Sequence, residues 1–195
     1  MKVIEARFVA AAPTVAALPP PRLPEVAFAG RSNVGKSSLI STLAERKKLV
    51  RVSRRPGRTR SINFFEVRTD AGLLVLVDLP GYGYAEAPAA ERRRWGPLVT
   101  SYLRDREALC LNVVILDPRR DLADDDLDLL RMLTDFGRPT MLVATKMDKL
   151  SKAQRKPAVE RLSSAAGLPV LPFSAHTGEG SAAVWQVVGR ACGIV

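Results

Sequence analysis

The stretch GRSNVGKS, residues 30–37, constrains the fold more than any other part of the chain. It follows the apolar run EVAFAG and leads into KSSLISTLAERKK, so it joins a predicted strand to a predicted helix. The spacing G-x-x-x-x-G-K-S is typical of a loop whose backbone N–H groups surround phosphate oxygens at the start of a helix. We therefore predict an α/β fold that binds phosphate where a strand meets a helix.

The residue types in this loop each have a physical role. Gly30 and Gly35 permit backbone angles and close approaches that a Cβ atom would hinder. Lys36 is placed to reach the β- and γ-phosphates of a nucleotide, and the Ser37 hydroxyl to bind Mg²⁺. A chance match in a glycine-rich turn is the alternative, but the strand–loop–helix context disfavours it.

Apolar runs alternate with helical segments along the rest of the chain. Besides EVAFAG, the predicted strands are INFFEVR, LLVLVD, LNVVILD, TMLVATK and LPVLPFS, and the predicted helices cover about residues 36–48, 90–107, 122–136, 152–166 and 180–192. INFFEVR and LLVLVD flank the short segment TDAG, which predicts an antiparallel hairpin. The strands lack internal alternation, which indicates a mostly parallel sheet with helices on both faces.

The N-terminal residues form an arm in this prediction. Charged residues alternate with Ile4, Ala6 and Phe8, a pattern typical of a half-buried strand. The proline-rich stretch APTVAALPPPRLPE follows and predicts an irregular connector. We expect residues 1–22 to form this arm and residues 23–195 to form one domain.

The segment DLPGYGYA, residues 78–85, has the features of a nucleotide switch. Asp78 ends a predicted strand and can hold Mg²⁺ through its water shell, while the Gly81 N–H can donate to a γ-phosphate. Many nucleotide hydrolases place a water-positioning glutamine at the next position, where this chain has Tyr82. A phenol lacks the paired donor and acceptor of an amide, so we predict that Tyr82 does not take that role.

The segment TKMDKL selects the base in this interpretation. Asp148 can accept two hydrogen bonds from the N1–H and 2-amino group of guanine, whereas adenine would present a lone pair to the carboxylate. Lys146 can lay its alkyl stem along the ring, and backbone N–H groups near Ser174 and Ala175 can reach the guanine O6. A solvated lysine-rich turn is the alternative. The segment RVSRRPGRTRSINFF adds Thr59, whose hydroxyl is a second candidate ligand for Mg²⁺.

Four stretches together resemble the EngB family of ribosome-biogenesis GTP-binding proteins: PEVAFAGRSNVGKSSLI, PGRTRSINFF, DLPGYGYA and TKMDKL. The resemblance covers about residues 24–180. It implies a Ras-like P-loop GTPase fold, GTP and GDP as ligands with Mg²⁺, GTP hydrolysis, and a role in large ribosomal subunit assembly, normal cell division and septation. The residues from 23 onward would then form an EngB-type G domain.

The resemblance also assigns residues by position. Ser37 and Thr59 would bind Mg²⁺. The nucleotide would be lined by Gly30, Arg31, Ser32, Asn33, Val34, Gly35, Lys36, Ser37, Gly57, Arg58, Thr59, Arg60, Ser61, Asp78, Leu79, Pro80, Gly81, Thr145, Lys146, Met147, Asp148, Phe173, Ser174 and Ala175. Related GTPases with an asparagine at position 33 use K⁺ beside the phosphates, so Asn33 has two interpretations: it helps to hold K⁺, or it only hydrogen-bonds its own loop.

One region departs from the family pattern. The family tends to have Asp-x-Arg-His after the strand LNVVILD, where this chain continues DPRRDLADDDLDLL. The acidic run at Asp124, Asp125, Asp126 and Asp128 could suggest a metal site. We interpret it instead as a helix start that the helix dipole favours and that faces solvent.

Positive charge dominates the composition, with 30 Lys and Arg against 20 Asp and Glu and a net charge of +10. Residues 45–60 and 91–95 hold the densest basic clusters, the second beside Trp95, which either packs in the core or stacks on a base. We expect these clusters to contact ribosomal RNA in the large subunit, with a merely basic, solubilising surface as the alternative.

The remaining features place the protein in the cytoplasm. Cys110 and Cys192 lie in apolar segments and are predicted to be buried thiols, and no apolar run is long enough to span a membrane. Two other functions stay open. One is a guanine-nucleotide-dependent division scaffold, and the other, which the Asp148–Lys146 pair disfavours, is a P-loop small-molecule kinase. Hydrolysis is expected to be slow unless K⁺ or the ribosome activates it.

Overall fold

The strand–loop–helix unit around residues 30–37 lies at the middle of the sheet in the computed structural model. The structure describes residues 1–46, 61–82 and 89–194; for residues 89–95 it describes the backbone alone. The strands within these ranges are β1 Val3–Ala12, β2 Glu25–Gly30, β3 Ile62–Thr69, β4 Leu73–Asp78, β5 Leu109–Leu116, β6 Thr140–Ala144 and β7 Val170–Pro172. The helices are α1 Lys36–Leu43, α2 Ala89–Asp105, α3 Asp124–Asp135, α4 Lys152–Ala166 and α5 Ser181–Ala191.

The seven strands form one mixed sheet in the order β1-β3-β4-β2-β5-β6-β7. β2 pairs in parallel with β4 and β5, and β6 pairs in parallel with β5 and β7. β3 is antiparallel to β1 and β4, which confirms the predicted hairpin. Since β4, β2, β5, β6 and β7 all run in one direction, the loops that follow them emerge at the same edge of the sheet.

Helices cover both faces of the sheet, as the strand composition predicted. On one face α1 and α5 pack Ile40 and Trp185 into the core. On the other face α2, α3 and α4 contribute Leu103, Leu133 and Leu162 to a second core. Each strand of the central sheet is therefore buried on two sides, which explains why β2 is apolar without alternation.

The N-terminal strand is longer than predicted, and its buried face differs. β1 runs to Ala12, into the stretch predicted to be irregular, and a short 3₁₀ turn at Val15–Ala17 follows. Ile4 and Phe8, predicted to be half-buried, are 49% and 55% exposed. The register of β1 against β3 shifts twice, which changes the residues that share a face. Phe8 packs on Phe65 with ring centroids 5.7 Å apart, and it stays exposed because β1 is the edge strand of the sheet.

The first helix is shorter than predicted. It ends at Leu43, and the chain leaves the helix through Glu45, whose φ of 51° is left-handed. The Arg46 N–H then bonds to the Ser41 carbonyl, which closes the helix end. In contrast, the predicted range of α4, residues 152–166, agrees with the structure.

A buried polar network fixes the C-terminal end of α2. The Glu25 carboxylate accepts hydrogen bonds from the Tyr102 hydroxyl at 2.8 Å and from Arg106 Nε at 2.9 Å, and its second oxygen accepts from Arg106 Nη2. Arg138 also donates from its side chain to the Leu103 carbonyl at 2.6 Å. The sequence gives no sign of these bonds, because Glu25 and Arg106 lie far apart along the chain.

Both cysteines carry free thiols, and the prediction that both are buried is confirmed for Cys192 and wrong for Cys110. Cys192 is buried at the C-terminal end of α5, where burial and then the neighbouring Cys110 raise the pKa of its thiol to about 12. Cys110 is only partly buried. Neither thiol lies in the loops that follow the parallel strands.

Candidate nucleotide-binding site

The phosphate loop has backbone features that explain its residue types. A Cβ atom on Gly30 would lie 2.8 Å from Val34 Cγ1 and 3.1 Å from the Ile115 carbonyl oxygen, so a side chain does not fit there. Gly35 has a φ of 109°, which L-residues rarely adopt. Asn33 has a φ of 61°, and asparagine tolerates this left-handed conformation better than most residues. The backbone alone therefore gives a reason for asparagine at position 33.

Lys36 joins the phosphate loop to the end of β4. Its ammonium forms an ion pair with Asp78 and donates to the Leu79 carbonyl at 2.6 Å. The side chains of Lys36 and Asp78 are only 11% and 4% exposed. The structure thus brings the predicted phosphate lysine and the predicted Mg²⁺-side carboxylate together, and it places Ser37 next in the same helical turn.

Tyr82 points away from this cluster. Its ring is buried, and its hydroxyl donates to Asp126 Oδ1 at 2.8 Å, at the start of α3. The backbone of Tyr82 pairs with the phosphate loop: its carbonyl accepts from the Ser32 N–H at 3.0 Å. Burial, and then the charge of Asp126, hold the pKa of Tyr82 well above its usual value, so the phenol is a neutral donor.

The acidic run is partly different from its prediction. Helix α3 does begin at Asp124, as the helix dipole favours. Asp124, Asp125 and Asp128 are exposed, but Asp126 is 4% exposed, so the prediction that the whole run faces solvent is wrong. Its second carboxylate oxygen accepts from the Ala123 N–H at 2.9 Å, which caps the helix.

The loop after β6 is attached to the phosphate loop. Thr145 Oγ1 donates to the Val34 carbonyl at 2.6 Å, and Lys146 Nζ donates to the Asn33 carbonyl at 2.6 Å. Lys146 has a left-handed φ of 58° and also contacts Asp117 Oδ2 at 3.1 Å. These bonds fix the distance between the predicted phosphate-binding and base-binding residues.

Asp148 is oriented by the loop that follows β7. The Ser174 hydroxyl donates to Asp148 Oδ1 at 2.8 Å, and this bond lowers the pKa of the carboxyl group below its usual value. Ser174 is fully buried, whereas Ala175 and His176 are exposed. The carboxylate is therefore ionised at neutral pH and held in one orientation, as recognition of a donor edge requires.

The sequence interpretation missed Asp117. This carboxylate, directly after β5, pairs with Arg119 at 2.7 Å and with Lys146 at 3.1 Å. The side-chain bond from Arg119 is the main reason that the pKa of Asp117 lies well below its usual range. A signal was present, since Asp117 follows a parallel strand just as Asp78 does, and both must emerge at the same edge of the sheet.

Gly180 was also missed, and it shapes the base-side loop. Its φ is 86°, and a Cβ atom there would overlap the Pro172 carbonyl oxygen. Gly178 in the same loop has a similar φ of 78°, but nothing lies within 4 Å of its Cβ position. Glycine at position 180 is thus required for two reasons, backbone conformation and space, and at position 178 for one.

Of the other residues predicted to line the nucleotide, some lie within the described parts of the chain and some lie outside them. Val34, Leu79, Met147 and Phe173 have buried side chains, so only their backbone can face a ligand. Ser61 begins the approach to β3 and donates to Asn63 Oδ1 at 3.3 Å. The other residues of this set that the structure describes lie in the loops after β2, β4 and β7: Arg31, Ser32, Pro80, Gly81 and Ala175. Gly57, Arg58, Thr59 and Arg60 lie outside the described residues, and so do the side chains of the 91–95 cluster and nearly all of the 45–60 cluster.

Known proteins match this chain along almost all of its length. A family model described as 50S ribosome-binding GTPase matches residues 25–146. A protein of Syntrophus aciditrophicus (strain SB), described as probable GTP-binding protein EngB, is 49% identical over 195 residues, which cover 99% of this chain and 98% of the relative.

The chain belongs to the EngB family.

A second EngB relative, from Pelobacter propionicus, is 49% identical over 193 residues and covers 97% of this chain and 95% of its own. Among solved structures, a probable GTP-binding protein EngB has a TM-score of 0.69 at 24% identity, over 86% of this chain and 98% of the other. The G domain of the T. maritima FeoB iron transporter has a TM-score of 0.61 at 25% identity, over 87% and 99%. These likenesses agree with the sheet order in showing a Ras-like P-loop GTPase fold.

Proposed function

We propose that this EngB-family chain is a cytoplasmic GTP-driven switch that acts in large ribosomal subunit assembly, and through it in normal cell division and septation. The observation that carries the proposal is the base-side geometry, in which an ionised Asp148 held by Ser174 stands beside Lys146, itself bonded to the phosphate loop. The description of the matching family model, 50S ribosome-binding GTPase, supports the ribosomal part.

The described residues have separable roles in binding GTP. Backbone N–H groups of the phosphate loop and the Lys36 ammonium face the phosphates, and Asp148 accepts from the guanine donor edge. Lys146 covers one face of the base while Asp117 holds its ammonium. To bind a γ-phosphate, Lys36 has to exchange its bond to the Leu79 carbonyl for one to a phosphate oxygen.

The oxygen donors at this edge fit Mg²⁺. Ser37 supplies a hydroxyl, Asp78 a carboxylate for the water shell, and Thr59 is proposed as the second side-chain ligand. Among the described residues, no group of three or more His, Cys, Asp or Glu side chains forms a metal cluster. When bound, Mg²⁺ would neutralise charge that develops on the phosphates during transfer.

Hydrolysis by the isolated protein is proposed to be slow. The Tyr82 hydroxyl is bonded to Asp126 at 2.8 Å and is directed away from Lys36, so we expect Tyr82→Ala to leave the basal rate within a few-fold. The activating group that Tyr82 does not supply would be K⁺ near Asn33, or it would come from the ribosome. GTPase rates in K⁺ and Na⁺, with and without large subunits, in wild type and Asn33→Ala, distinguish these sources. Equal rates in all conditions would exclude both.

RNA contact is proposed for the basic clusters 45–60 and 91–95, because the net charge is +10 and the clusters flank the switch segments. The test is sedimentation with purified large subunits in the presence of a GTP analogue, GDP or no nucleotide. We expect binding with the analogue that weakens steeply with salt. Neutralising Arg92, Arg93 and Arg94 together should flatten the salt dependence and leave GTP binding intact. Association that is independent of both nucleotide and salt would contradict the proposal.

The other two functions have less support. A division scaffold remains a proposal of second rank, and in the part of the chain that the structure describes no helix is long and apolar enough to cross a bilayer. A small-molecule kinase is disfavoured because Lys146 and Thr145 bond to the phosphate loop and so keep the proposed guanine-selecting residues beside it. The division of the chain at residue 22 stays a prediction.

A further inference from the structure

The base-side lysine, Lys146, is held by two acceptors from different loops. Its ammonium donates to the Asn33 carbonyl at 2.6 Å and to Asp117 Oδ2 at 3.1 Å. Its backbone has a left-handed φ of 58°, which a residue with a long side chain adopts when its surroundings hold it there. The position of Lys146 therefore depends on contacts outside its own loop.

Asp117 is itself fixed by Arg119. The Arg119 side chain donates from Nε to Oδ1 at 2.9 Å and from Nη2 to Oδ2 at 2.7 Å, and its backbone N–H donates to Oδ1 at 3.2 Å. The side chain of Asp117 is 11% exposed, and its carboxyl group is ionised at neutral pH because its pKa is lowered, chiefly by the side-chain bond from Arg119. A bidentate pair of this kind fixes the plane of the carboxylate, and with it the direction of Oδ2 toward Lys146.

The space beside Lys146 explains why such a contact matters. A cavity of about 340 Å³ adjoins the phosphate loop, and Asn33, Asp117, Arg119 and Lys146 are among the residues that line it. A lysine side chain is a flexible four-carbon stem that ends in a point charge. Without Asp117, the ammonium keeps its bond to the Asn33 carbonyl, but the stem has room to turn away from the face of a bound base.

Lys146 and Asp148 meet different parts of the base. Lys146 is proposed to lie along the face of the ring, which every purine offers, whereas Asp148 accepts from the N1–H and 2-amino group of guanine. The Ser174 hydroxyl holds Asp148 separately, at 2.8 Å. A change at Asp117 therefore acts on the face of the base and leaves the contact with its edge in place.

We propose that Asp117, oriented by Arg119, is a positioning residue for Lys146: it sets the affinity for guanine nucleotides without setting the choice of base. This inference rests on the proposed binding of guanine nucleotides. Electrostatics alone predicts the opposite effect, because removing a negative charge near the phosphate loop should strengthen the binding of a polyanion. The loss of a charge-assisted hydrogen bond is instead expected to weaken binding by about tenfold.

Asp117→Asn is the main test, because it keeps the shape of the side chain and removes its charge. Isothermal titration calorimetry measures the affinity for GDP, for a non-hydrolysable GTP analogue and for inosine diphosphate, whose base lacks the 2-amino group. We expect all three to bind about tenfold more weakly, with the GDP:inosine diphosphate and GTP analogue:GDP affinity ratios within about twofold of wild type. The matched control is Asp121→Asn, which removes the same charge from the same loop at a side chain that is 81% exposed, and its affinities should stay within about twofold of wild type.

Lys146→Met identifies the route of the effect, because it keeps an unbranched stem and removes the ammonium. In that background Asp117→Asn should cause no further loss of GDP affinity, whereas two independent effects would add. Unchanged or tighter binding by Asp117→Asn, a changed preference between guanine and hypoxanthine, or additive losses in the double variant would each overturn the proposal.

Thermal unfolding of every variant is measured alongside, because Asp117 also forms ion pairs that stabilise the fold. If Asp117→Asn does not fold, Arg119→Leu decides, since the Arg119 side chain is 42% exposed and its loss leaves Oδ1 with the backbone bond at 3.2 Å. We expect Arg119→Leu to weaken GDP and inosine diphosphate by the same factor of about threefold, and unchanged affinities would refute the proposal. Failure of the wild type to bind GDP would count against the proposed function and not against the role of Asp117.

Discussion

Replacing Arg106 by leucine is expected to destabilise the protein strongly. Arg106 donates two hydrogen bonds to Glu25, whose carboxylate also accepts from Tyr102 at 2.8 Å. The side chains of Arg106 and Glu25 are 7% and 3% exposed. Without Arg106, the charge of Glu25 stays buried with one hydrogen bond in place of three.

The magnitude follows from that burial. Removing one partner of a buried ion pair costs about 3–5 kcal/mol, because the remaining charge is neither hydrated nor paired. For a protein of this length each kcal/mol lowers the melting temperature by about 2–4 °C, so we expect a fall of about 6–20 °C. The double variant Glu25→Leu, Arg106→Leu should recover part of the loss, and not all, because the Tyr102 hydroxyl then lacks its acceptor.

Urea unfolding followed by circular dichroism measures the effect. The matched control is Arg104→Leu in the last turn of α2, two residues before Arg106; its pair with Asp105 is exposed and should contribute little. If Arg106→Leu lost less than about 1 kcal/mol of unfolding free energy, or no more than Arg104→Leu, then the buried pair would not stabilise the fold as reasoned.

Three further predictions concern the candidate site. Asp148→Asn should lose GTP affinity by about 10–100-fold and gain affinity for xanthine nucleotides, whose position 2 carries an acceptor; nucleotide titrations measure both, and retained guanine preference would refute the role of Asp148. Gly180→Ala should destabilise the protein by more than Gly178→Ala. An alanine at either position costs about 1–2 kcal/mol for the left-handed backbone, but only at position 180 does its Cβ atom also overlap another group, the Pro172 carbonyl oxygen. Equal midpoints of urea unfolding for the two variants would contradict this. Asp117→Asn tests a pH dependence of stability. The pKa of Asp117 in the folded state lies below its unfolded value of about 3.9, so the ionised carboxylate stabilises the folded protein above that pH. This contribution fades as the pH falls toward the folded-state pKa. The difference in unfolding free energy from wild type should therefore be largest near neutral pH and shrink below about pH 4, and a constant difference would refute it.

Local sequence patterns predicted the parts of the fold that depend on neighbouring residues. The range of α4, the hairpin of β3 and β4, and the loop between β2 and α1 follow from periodicity and glycine spacing. The exposure of Phe8 was not predictable, because β1 is the edge strand of the sheet: Phe8 packs on Phe65 of β3, with ring centroids 5.7 Å apart, and is still 55% exposed.

In the candidate site too, the features that depend on local sequence were predicted and those that depend on distant residues were not. Lys36, Asp78 and Lys146 were found by motif, and the structure brings them to one edge of the sheet. The burial of Asp126 was not predictable, because its partner Tyr82 lies 44 residues earlier and nothing local distinguishes it from Asp125. Asp117 could have been found, since the rule that placed Asp78 at the end of a parallel strand applies equally to it.

The anchoring of α2 at Arg106 has a mechanical consequence. The helix Ala89–Asp105 is about 25 Å long at 1.5 Å per residue. Its C-terminal end is anchored to β2 by the bond between Arg106 and Glu25. Arg92, Arg93 and Arg94 lie near its N-terminal end in the sequence. Pro97 lies between these arginines and the anchored end and removes one backbone hydrogen bond from the helix. A tilt of about 5° about the anchored end would move the far end by about 2 Å, so small adjustments of the Glu25–Arg106 pair, of the Arg138–Leu103 bond and of the packing of Leu103 are amplified along α2.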